Sequence, residues 1–265
     1  MQKTFCFLPT YSMNQNIVRG IRTCLRIALL GTFLGFSPTL RAQALLPSTP
    51  PESSVTAPHP APAEPSHPAE SSLDTLREAY QKLAKGQLDP ALDMVNGVIH
   101  LDSQNKGAYL LRGLIYAQKQ QWDKAENDYE FILAIDPQNT IVKFDQAELK
   151  FMQKKYDDAR AGFTQVESDK ELGDFATYKV LVCDLFGAHE AAAAKDIEAI
   201  NEVGGNPSYY FGNAAWDLVH NKPQDAANWL KSAANIYAGS PQTYAKYTSC
   251  LKSMGYLPLH LSTAQ

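Results

Sequence analysis

The stretch that decides the fold is residues 122–137, WDKAENDYEFILAIDP. An aromatic residue is followed after three positions by Ala125, after four more by Tyr129 and after three more by Ile132. Apolar residues at spacings of three and four mark one face of an α-helix. The closing Asp-Pro pair ends this helix, because proline cannot continue it. The stretch therefore predicts one amphipathic helix with a defined end.

The same register recurs with a period of 34 residues on both sides of this stretch. The tetrapeptides at residues 88–91 and 156–159 align with the one at residues 122–125, and each ends in alanine. A larger side chain there would push two packed backbones apart, so each alanine predicts the close approach of another helix. The alanines are Ala91, Ala125, Ala159, Ala193 and Ala226. The apolar residues four positions later are Val95, Tyr129, Phe163, Ile197 and Leu230. Those seven positions later are Val98, Ile132, Val166, Ile200 and Ala233.

A second helix is predicted before each of these, with the spacing of Tyr109, Gly113 and Tyr116. A glycine inside a helix costs roughly 1 kcal/mol relative to alanine, which is reasonable where another helix must approach closely. The equivalent positions in the other units hold Ala79, Ala147, Leu181 and Ala214.

Capping residues are predicted at several helix starts. Three capping side chains stand directly before a proline, which is favoured at the first helical position. Acidic residues at other helix starts are expected to cap the backbone and to complement the helix dipole. The three pairs are Asp89-Pro90, Asn206-Pro207 and Ser240-Pro241, and the acids are Asp123, Asp157 and Asp158.

Residues 106–137 resemble a tetratricopeptide repeat (TPR) through Tyr109, Gly113, Tyr116, Ala125, Tyr129 and Pro137. Units near 72–105 and 140–171 match well on their second helices, and residues 174–205 and 207–239 match loosely. The resemblance implies an all-α fold, a right-handed superhelical solenoid of about five repeats over residues 73–255. A capping helix is expected at residues 241–254, since such arrays need a polar end. An ordinary helical bundle is the alternative.

The N-terminal residues have the features of a secretory signal. Three arginines precede the apolar run 27–36, and Ala42-Gln43-Ala44 follows it, which predicts cleavage after Ala44 and export to the periplasm. An uncleaved signal would leave a membrane tether, although ten apolar residues are too few to span a bilayer. Met13 could be the true start. Residues 45–72 contain eight prolines and predict a disordered linker, and residues 256–265 a flexible tail.

The charge of the chain argues against some partners. Loss of the signal with its five basic residues leaves 19 basic and 28 acidic residues, a formal charge of −9. Nucleic acid and anionic membranes are therefore not expected partners. Two cysteines remain, Cys183 and Cys250, two units apart. Since neighbouring helices pack about 8–10 Å apart, these cysteines are expected to be too distant for a disulfide.

No catalytic motif is found in the sequence, so no catalytic residue, cofactor or metal ion is predicted. His100, His189 and His220 lie near predicted helix ends, where a solvated histidine is ordinary. His59 and His67 in the linker are a weak signal for metal binding. An enzyme hidden in the irregular fourth and fifth units remains an alternative, and it predicts a cleft there lined with titratable side chains.

The TPR resemblance implies that the first helix of every unit lines a concave groove. Such an apolar trough with one acid suits a peptide or an amphipathic helix. The rows lack the Lys, Arg and Asn that grip a free carboxylate in one TPR subclass. The residues could equally pack against the second helices, or the chain's own linker could fill the groove. The candidate groove residues are Leu76, Tyr80, Leu110, Leu114, Phe144, Glu148, Tyr178 and Phe211, with Val182 and Ala215 beside them.

These features together favour a non-enzymatic adaptor in the bacterial envelope that binds another protein or a peptide. The alternative is a homo-oligomeric assembly element in which Trp216 and Trp229 form the contact face. The sequence does not identify the partner.

Overall fold

The computed structural model describes residues 68–253 and 255–257, with side chains described from Ser71 onward. Within these residues the chain forms eleven α-helices and no strand, so the predicted all-α fold is confirmed there. The helices are α1 (Pro68–Ala84), α2 (Leu88–Leu101), α3 (Lys106–Gln118), α4 (Trp122–Ile135), α5 (Thr140–Met152), α6 (Tyr156–Thr164), α7 (Gly173–Phe186), α8 (Glu190–Val203), α9 (Pro207–Val219), α10 (Pro223–Ile236) and α11 (Pro241–Ser253).

The predicted boundaries meet the described residues at two places. Helix α1 begins at Pro68, so residues 68–72 of the expected linker belong to this helix. Tyr256 and Leu257, expected to start a flexible tail, pack against the core, with the Tyr256 ring 5.9 Å from the ring of Phe186. The predicted signal at residues 1–44, the linker up to residue 67 and residues 258–265 lie outside the described residues.

The helices pair into five units, and α11 follows the fifth. The two helices of each unit pack along one another. First helices of successive units also touch, α1 on α3, α3 on α5 and α7 on α9. The first helices, α1, α3, α5, α7 and α9, therefore lie side by side and form what we call the first-helix wall. Stacking of this kind, in which each unit contacts its neighbours, is how repeat proteins bury a continuous core.

The alanine column is confirmed as the place where helices approach one another. All five alanines, Ala91, Ala125, Ala159, Ala193 and Ala226, have no exposed surface. The large apolar residues four positions after them are likewise buried and fill the space between the paired helices. The period of 34 residues in the sequence is thus the period of the packing.

Gly113 allows α3 to approach α4. A Cβ atom at this position would lie 2.5 Å from Cε1 of Tyr129, whose ring is fully buried and has no room to move away. The glycine that the sequence places in mid-helix is therefore required by the packing of the aromatic ring in the next helix.

We expect Gly113→Ala to lower the free energy of unfolding by about 1–3 kcal/mol, because the added methyl group overpacks the contact with Tyr129. Gly97→Ala is the matched control, since a Cβ at Gly97 meets no atom within 4 Å. The control should be neutral or stabilising by up to about 1 kcal/mol, from helix propensity alone. Urea unfolding followed by circular dichroism measures both, and equal effects would contradict the close approach at Gly113.

Three asparagines cap first helices. The predicted cap at Asn206 is confirmed, because its side chain accepts a hydrogen bond from the backbone N–H of Tyr209 at 2.9 Å. Asn105 and Asn139 cap α3 and α5 in the same way, with distances of 3.0 and 3.1 Å. The sequence analysis did not identify these two caps, although both asparagines stand immediately before a first helix.

The predicted caps on three second helices are wrong. The acids concerned are Asp89, Asp123, Asp157 and Asp158, which all lie in the first turns of α2, α4 and α6. Each of these helices begins at the apolar residue before the acid, after a residue that makes no side-chain cap. The acids still complement the positive end of the helix dipole.

The third unit departs from the expected regularity. Its second helix, α6, ends at Thr164, so Val166 lies in a turn and not on the predicted helical face. Val166 is nevertheless fully buried. Asp169 stabilises the turn by accepting hydrogen bonds from the N–H groups of Glu171 and Leu172 and from the Thr140 hydroxyl. The core position is thus preserved although the helix is shorter than predicted.

None of the helices in the described part of the chain has the length and apolar character needed to cross a bilayer.

Candidate binding site on the first-helix wall

The eight predicted groove residues all lie on the first-helix wall, and all are at most 9% exposed. They do not form one continuous open surface. Leu76, Tyr80 and Leu114 belong to the core of the first two units, and Leu110 to the next cluster. Phe144, Tyr178 and Phe211 belong to a third cluster that extends to Leu257, and Glu148 is buried beside them.

The C-terminal part of this wall is covered by α11. The ring of Tyr247 lies 4.8 Å from the ring of Phe175, 5.1 Å from Tyr178 and 4.9 Å from Phe211. The hydroxyl of Tyr178 donates a hydrogen bond to the backbone oxygen of Tyr247 at 3.1 Å. As predicted, α11 packs against the last unit. It also reaches back to α7 in the fourth unit through these contacts of Tyr247.

The end of α11 completes this cover. Cys250 and Leu251 are buried with Tyr247 in the same cluster as the aromatic residues of the wall. At this end the wall is therefore covered by the chain's own helix α11.

A buried ion pair lies beneath α11. The ammonium group of Lys179 is 2.9 Å from a carboxylate oxygen of Glu148, and the Lys179 side chain is 1% exposed. The same ammonium group lies 3.7 Å from the centre of the Phe151 ring and 3.8 Å from the sulfur of Cys250. Lys179 is not among the predicted site residues, although a lysine directly after Tyr178 on an apolar helix is a signal for a buried charge.

A second cationic group, Lys246, is carried by α11 itself. Its ammonium group lies 4.1 Å from the centre of the Phe175 ring. Burial lowers the pKa of Lys246 to about 8, against the opposing effects of Asp174 and Glu148. Asp174 also receives hydrogen bonds from the hydroxyl of Tyr247 and, at 2.7 Å, from that of Ser208. Asp174 thus joins α7, α9 and α11.

Another buried acid of the wall is Asp145, on α5. Burial, and after it the charge of Glu148, raises the pKa of Asp145 well above its usual range. The electrostatic character around α11 is therefore that of a partly desolvated acidic surface that holds two lysines.

Both described cysteines are buried free thiols. Burial raises the pKa of the Cys183 thiol to about 12. The predicted absence of a disulfide between Cys183 and Cys250 is confirmed. Because α11 folds back over α7, both sulfur atoms are close enough to Tyr156 to influence its pKa.

A cluster of charged residues joins the third and fourth units through α6, α7 and α8. Arg160 donates a hydrogen bond to Asp184 at 2.7 Å and lies 3.8 Å from Asp196. His189 lies 3.3 Å from Asp184 and 3.5 Å from Asp157. An open depression of about 330 Å³ beside it is lined by Lys154, Lys155, Tyr156, Asp157, Asp158, Gly187 and His189.

Asp196 makes the stability of this cluster sensitive to pH. Burial, and then the neighbouring Asp184, raises the pKa of Asp196 to about 7. The unfolded value is near 3.9, so the folded chain binds more protons between about pH 4 and 7. Stability therefore falls as pH rises through that window and levels off above it.

We expect Asp196→Asn to remove this dependence, because the amide stays neutral. Relative to the parent chain, the variant should gain roughly 1–2 kcal/mol between pH 4.5 and pH 8, after allowance for solvent screening. Urea unfolding at the two pH values measures the gain. Asp93→Asn, at an exposed position on α2, is the control. An identical pH dependence in parent and Asp196→Asn would contradict the assignment.

No protein-family model matches the chain, and no curated protein matches it. Several solved structures do match. PilW, a widely conserved type IV pilus biogenesis factor, aligns with a TM-score of 0.51 and 16% identity, over 69% of this chain and 93% of PilW.

Two further structures align less closely. PilF of Pseudomonas aeruginosa aligns with a TM-score of 0.41 and 14% identity, over 66% of this chain and 96% of PilF. YrrB, a TPR protein with an unusual peptide-binding site, aligns with a TM-score of 0.43 and 16% identity, over 65% of this chain and 89% of YrrB.

The fold rests on the helices themselves and on the likeness to PilW, whose low identity bears on the fold alone. Paired helices, small residues at the points of close approach and a period of 34 residues occur together in the described chain. The chain therefore has the fold of a tetratricopeptide-repeat solenoid.

Proposed function

We propose that this chain is a non-enzymatic protein–protein interaction scaffold that binds a helical segment of another protein on its first-helix wall. The observation that carries the proposal is α11, a helix already seated on that wall. Its Tyr247 side chain lies against three aromatic rings of the wall, which is how one helix is received in an apolar groove.

The binding surface we propose is the set of wall residues predicted from the sequence. Phe144, Tyr178, Phe211 and Glu148 form the part now beneath or beside α11, and Leu76, Tyr80, Leu110 and Leu114 form the part nearer the N-terminus. The surface is apolar and aromatic with acidic groups, so the favoured ligand is an amphipathic helix with a basic residue.

We place this scaffold in the bacterial envelope. The proposal rests on the basic, apolar and small-residue pattern of residues 1–44, which predicts export and cleavage after Ala44. PilW, a structure with the same fold, is a type IV pilus biogenesis factor, which agrees with such a location. The excess of acidic residues argues against nucleic acid as the partner.

The absence of enzymatic activity is part of the same proposal. The titratable cluster beside the depression is held in ion pairs, with Arg160 bound to Asp184 and Asp196, and His189 beside Asp184 and Asp157. These contacts join α6, α7 and α8 and give the cluster a structural role in the stack.

Self-assembly is the second candidate function. Trp216 stacks on His220 at 4.1 Å, and Trp229 donates a hydrogen bond to Asp217 at 3.1 Å, so both predicted contact residues already have partners within the chain. Another feature favours assembly. Four exposed apolar residues lie ten positions after their alanines, Leu101, Ile135, Val203 and Ile236. Light scattering on the mature protein decides this, since a monomer at micromolar concentration excludes assembly.

Photo-crosslinking in the native cells tests the proposed scaffold function. A photoreactive amino acid replaces Ile141, which lies one turn before Phe144 on α5 and is half-buried. The control position is Lys231, which is exposed on the second helix α10. We expect a discrete crosslinked protein from Ile141 and not from Lys231. The same products from both positions, or none from Ile141, would contradict the proposal.

A further inference from the structure

We propose that α11 is a displaceable occupant of the first-helix wall, and that the partner helix replaces it with a lysine, a tyrosine and a leucine in the positions of Lys246, Tyr247 and Leu251. This inference rests on the proposed function, and it specifies the chemistry of the partner. The C-terminal helix is then both the cover of the binding surface and the template for its ligand.

The template follows from the side chains that α11 inserts. Tyr247 is 3% exposed and packs among the rings of Phe175, Tyr178 and Phe211. Leu251 lies one turn later on the same face and is fully buried. A helix with an aromatic residue and, four positions later, a leucine therefore fits the place that α11 occupies against α7 and α9.

Charge complementarity requires a cation beside the tyrosine. The wall near α11 carries the acids Glu148 and Asp174, and Lys179 pairs with Glu148. Lys246 brings a second ammonium group, which Asp174 and Glu148 stabilise. Since its pKa is about 8, the charged form predominates at neutral pH. A helix with an acid in this position would add a third carboxylate beside Glu148 and Asp174 in a poorly solvated site.

The composition of α11 makes it easy to displace. It has 13 residues, a length at which an isolated helix is marginal in water. Thr248, Ser249 and Ser253 donate hydrogen bonds to backbone oxygens three or four residues earlier, a pattern that weakens and bends helices. Its stability therefore comes from the wall and not from its own sequence.

Some of the contacts between α11 and the wall are polar. The Tyr178 hydroxyl donates to the oxygen of Tyr247, the Tyr247 hydroxyl donates to Asp174, and Lys179 lies 3.8 Å from the sulfur of Cys250. Such bonds are exchanged for bonds to water on opening, so their net contribution is small compared with the burial of apolar groups. A partner helix can form the same bonds.

The connection to α10 allows α11 to swing away. Residues 237–240 join the two helices; Tyr237 is half-buried against Phe211, and residues 238–240, Ala-Gly-Ser, are exposed. A tethered helix acts at an effective concentration in the millimolar range, so the partner must bind more tightly than a free copy of α11. The cover therefore sets an affinity threshold for partners.

A peptide added to the full mature chain tests the inference. The probe is a fluorescent peptide of residues 241–253, and its binding is followed by anisotropy under reducing conditions. Leu251→Asp in the chain unseats α11. We expect the peptide to bind this variant at least tenfold more tightly than the parent chain. Equal affinity for both chains, or no binding to either, would overturn the proposal.

Two lysines of α11 supply matched peptide variants. The peptide with Lys246→Glu should lose at least tenfold in affinity, because its acid faces Asp174 and Glu148. The peptide with Lys252→Glu has the same change of charge at an exposed position and should bind as tightly as the unaltered peptide. Equal losses in both would show that net charge alone governs binding, contrary to the proposed register.

Hydrogen exchange on the unaltered chain covers the case in which Leu251→Asp does not fold. We expect the amides of α11 to exchange at least tenfold faster than those of α9, through local opening. Exchange of both helices at the same rate would make α11 an integral core helix and overturn the inference. The scaffold function would then still stand if Ile141 gives a crosslinked partner, so the two failures are distinguishable.

Discussion

Phe163→Ala is expected to lower the free energy of unfolding by about 3–5 kcal/mol, the usual cost of removing a buried aromatic side chain. Phe163 occupies the position four residues after Ala159 and is fully buried between α5 and α7. Its ring lies 4.9 Å from the ring of Phe144 and 5.3 Å from the ammonium group of Lys179. The truncation therefore leaves a cavity at the base of the wall.

Urea unfolding followed by circular dichroism measures this loss. Phe131→Ala is the matched control, because Phe131 is half-buried and stacks on Tyr109 at 4.0 Å near the surface of α4. The control should lose less than half as much. If Phe131→Ala lowers the free energy of unfolding as much as Phe163→Ala does, the buried repeat position of Phe163 contributes no more stability than a half-buried ring, contrary to this account.

Lys179→Met should be of similar severity, with a loss of about 3–5 kcal/mol, because it leaves the buried carboxylate of Glu148 without its partner. The Lys179 ammonium group lies 2.9 Å from Glu148 and 3.7 Å from the centre of the Phe151 ring. Methionine fills a similar volume but compensates no charge. The cost therefore arises mainly from desolvation of the carboxylate, not from lost packing.

A second substitution separates these causes. The double variant Lys179→Met with Glu148→Met should recover most of the lost stability, since both charges are then removed. Lys82→Met is the control at an exposed pair, where Lys82 lies 3.3 Å from Glu78. Its loss should stay below about 1 kcal/mol. A double variant as unstable as the single one would exclude the charge explanation.

The fold was predictable to a large extent because the packing follows the sequence period. Small residues are required where two helices approach, and the five buried alanines from Ala91 to Ala226 satisfy this requirement in each unit. The position of Gly113 has the same origin, since its missing side chain makes room for Tyr129. A local spacing rule therefore determines which faces meet.

The site was less predictable, because the position of a terminal helix is not contained in that period. The sequence predicts a capping helix at residues 241–254, but not its return to α7. The contact between Lys179 and Cys250 joins residues 71 positions apart, outside any repeat spacing. Charged residues in otherwise apolar rows, Glu148 and Lys179, were the available signal.

The capping errors have a similar physical cause. The prediction places these acids immediately before the second helices. Each of these helices instead begins at the apolar residue before the acid, at Leu88, Trp122 and Tyr156. Because these apolar residues pack against neighbouring helices, the second helices start early enough to include them. Tertiary packing thus overrides the local preference of aspartate for the capping position.

The most direct test of a scaffold with a covered binding wall is crosslinking in cells from Ile141, compared between the parent chain and Leu251→Asp. With α11 unseated, we expect more of the same crosslinked protein from Ile141 and no product from Lys231. If Ile141 gives no specific protein in either chain, or if the exposed control position gives the same product, the wall is not a binding surface.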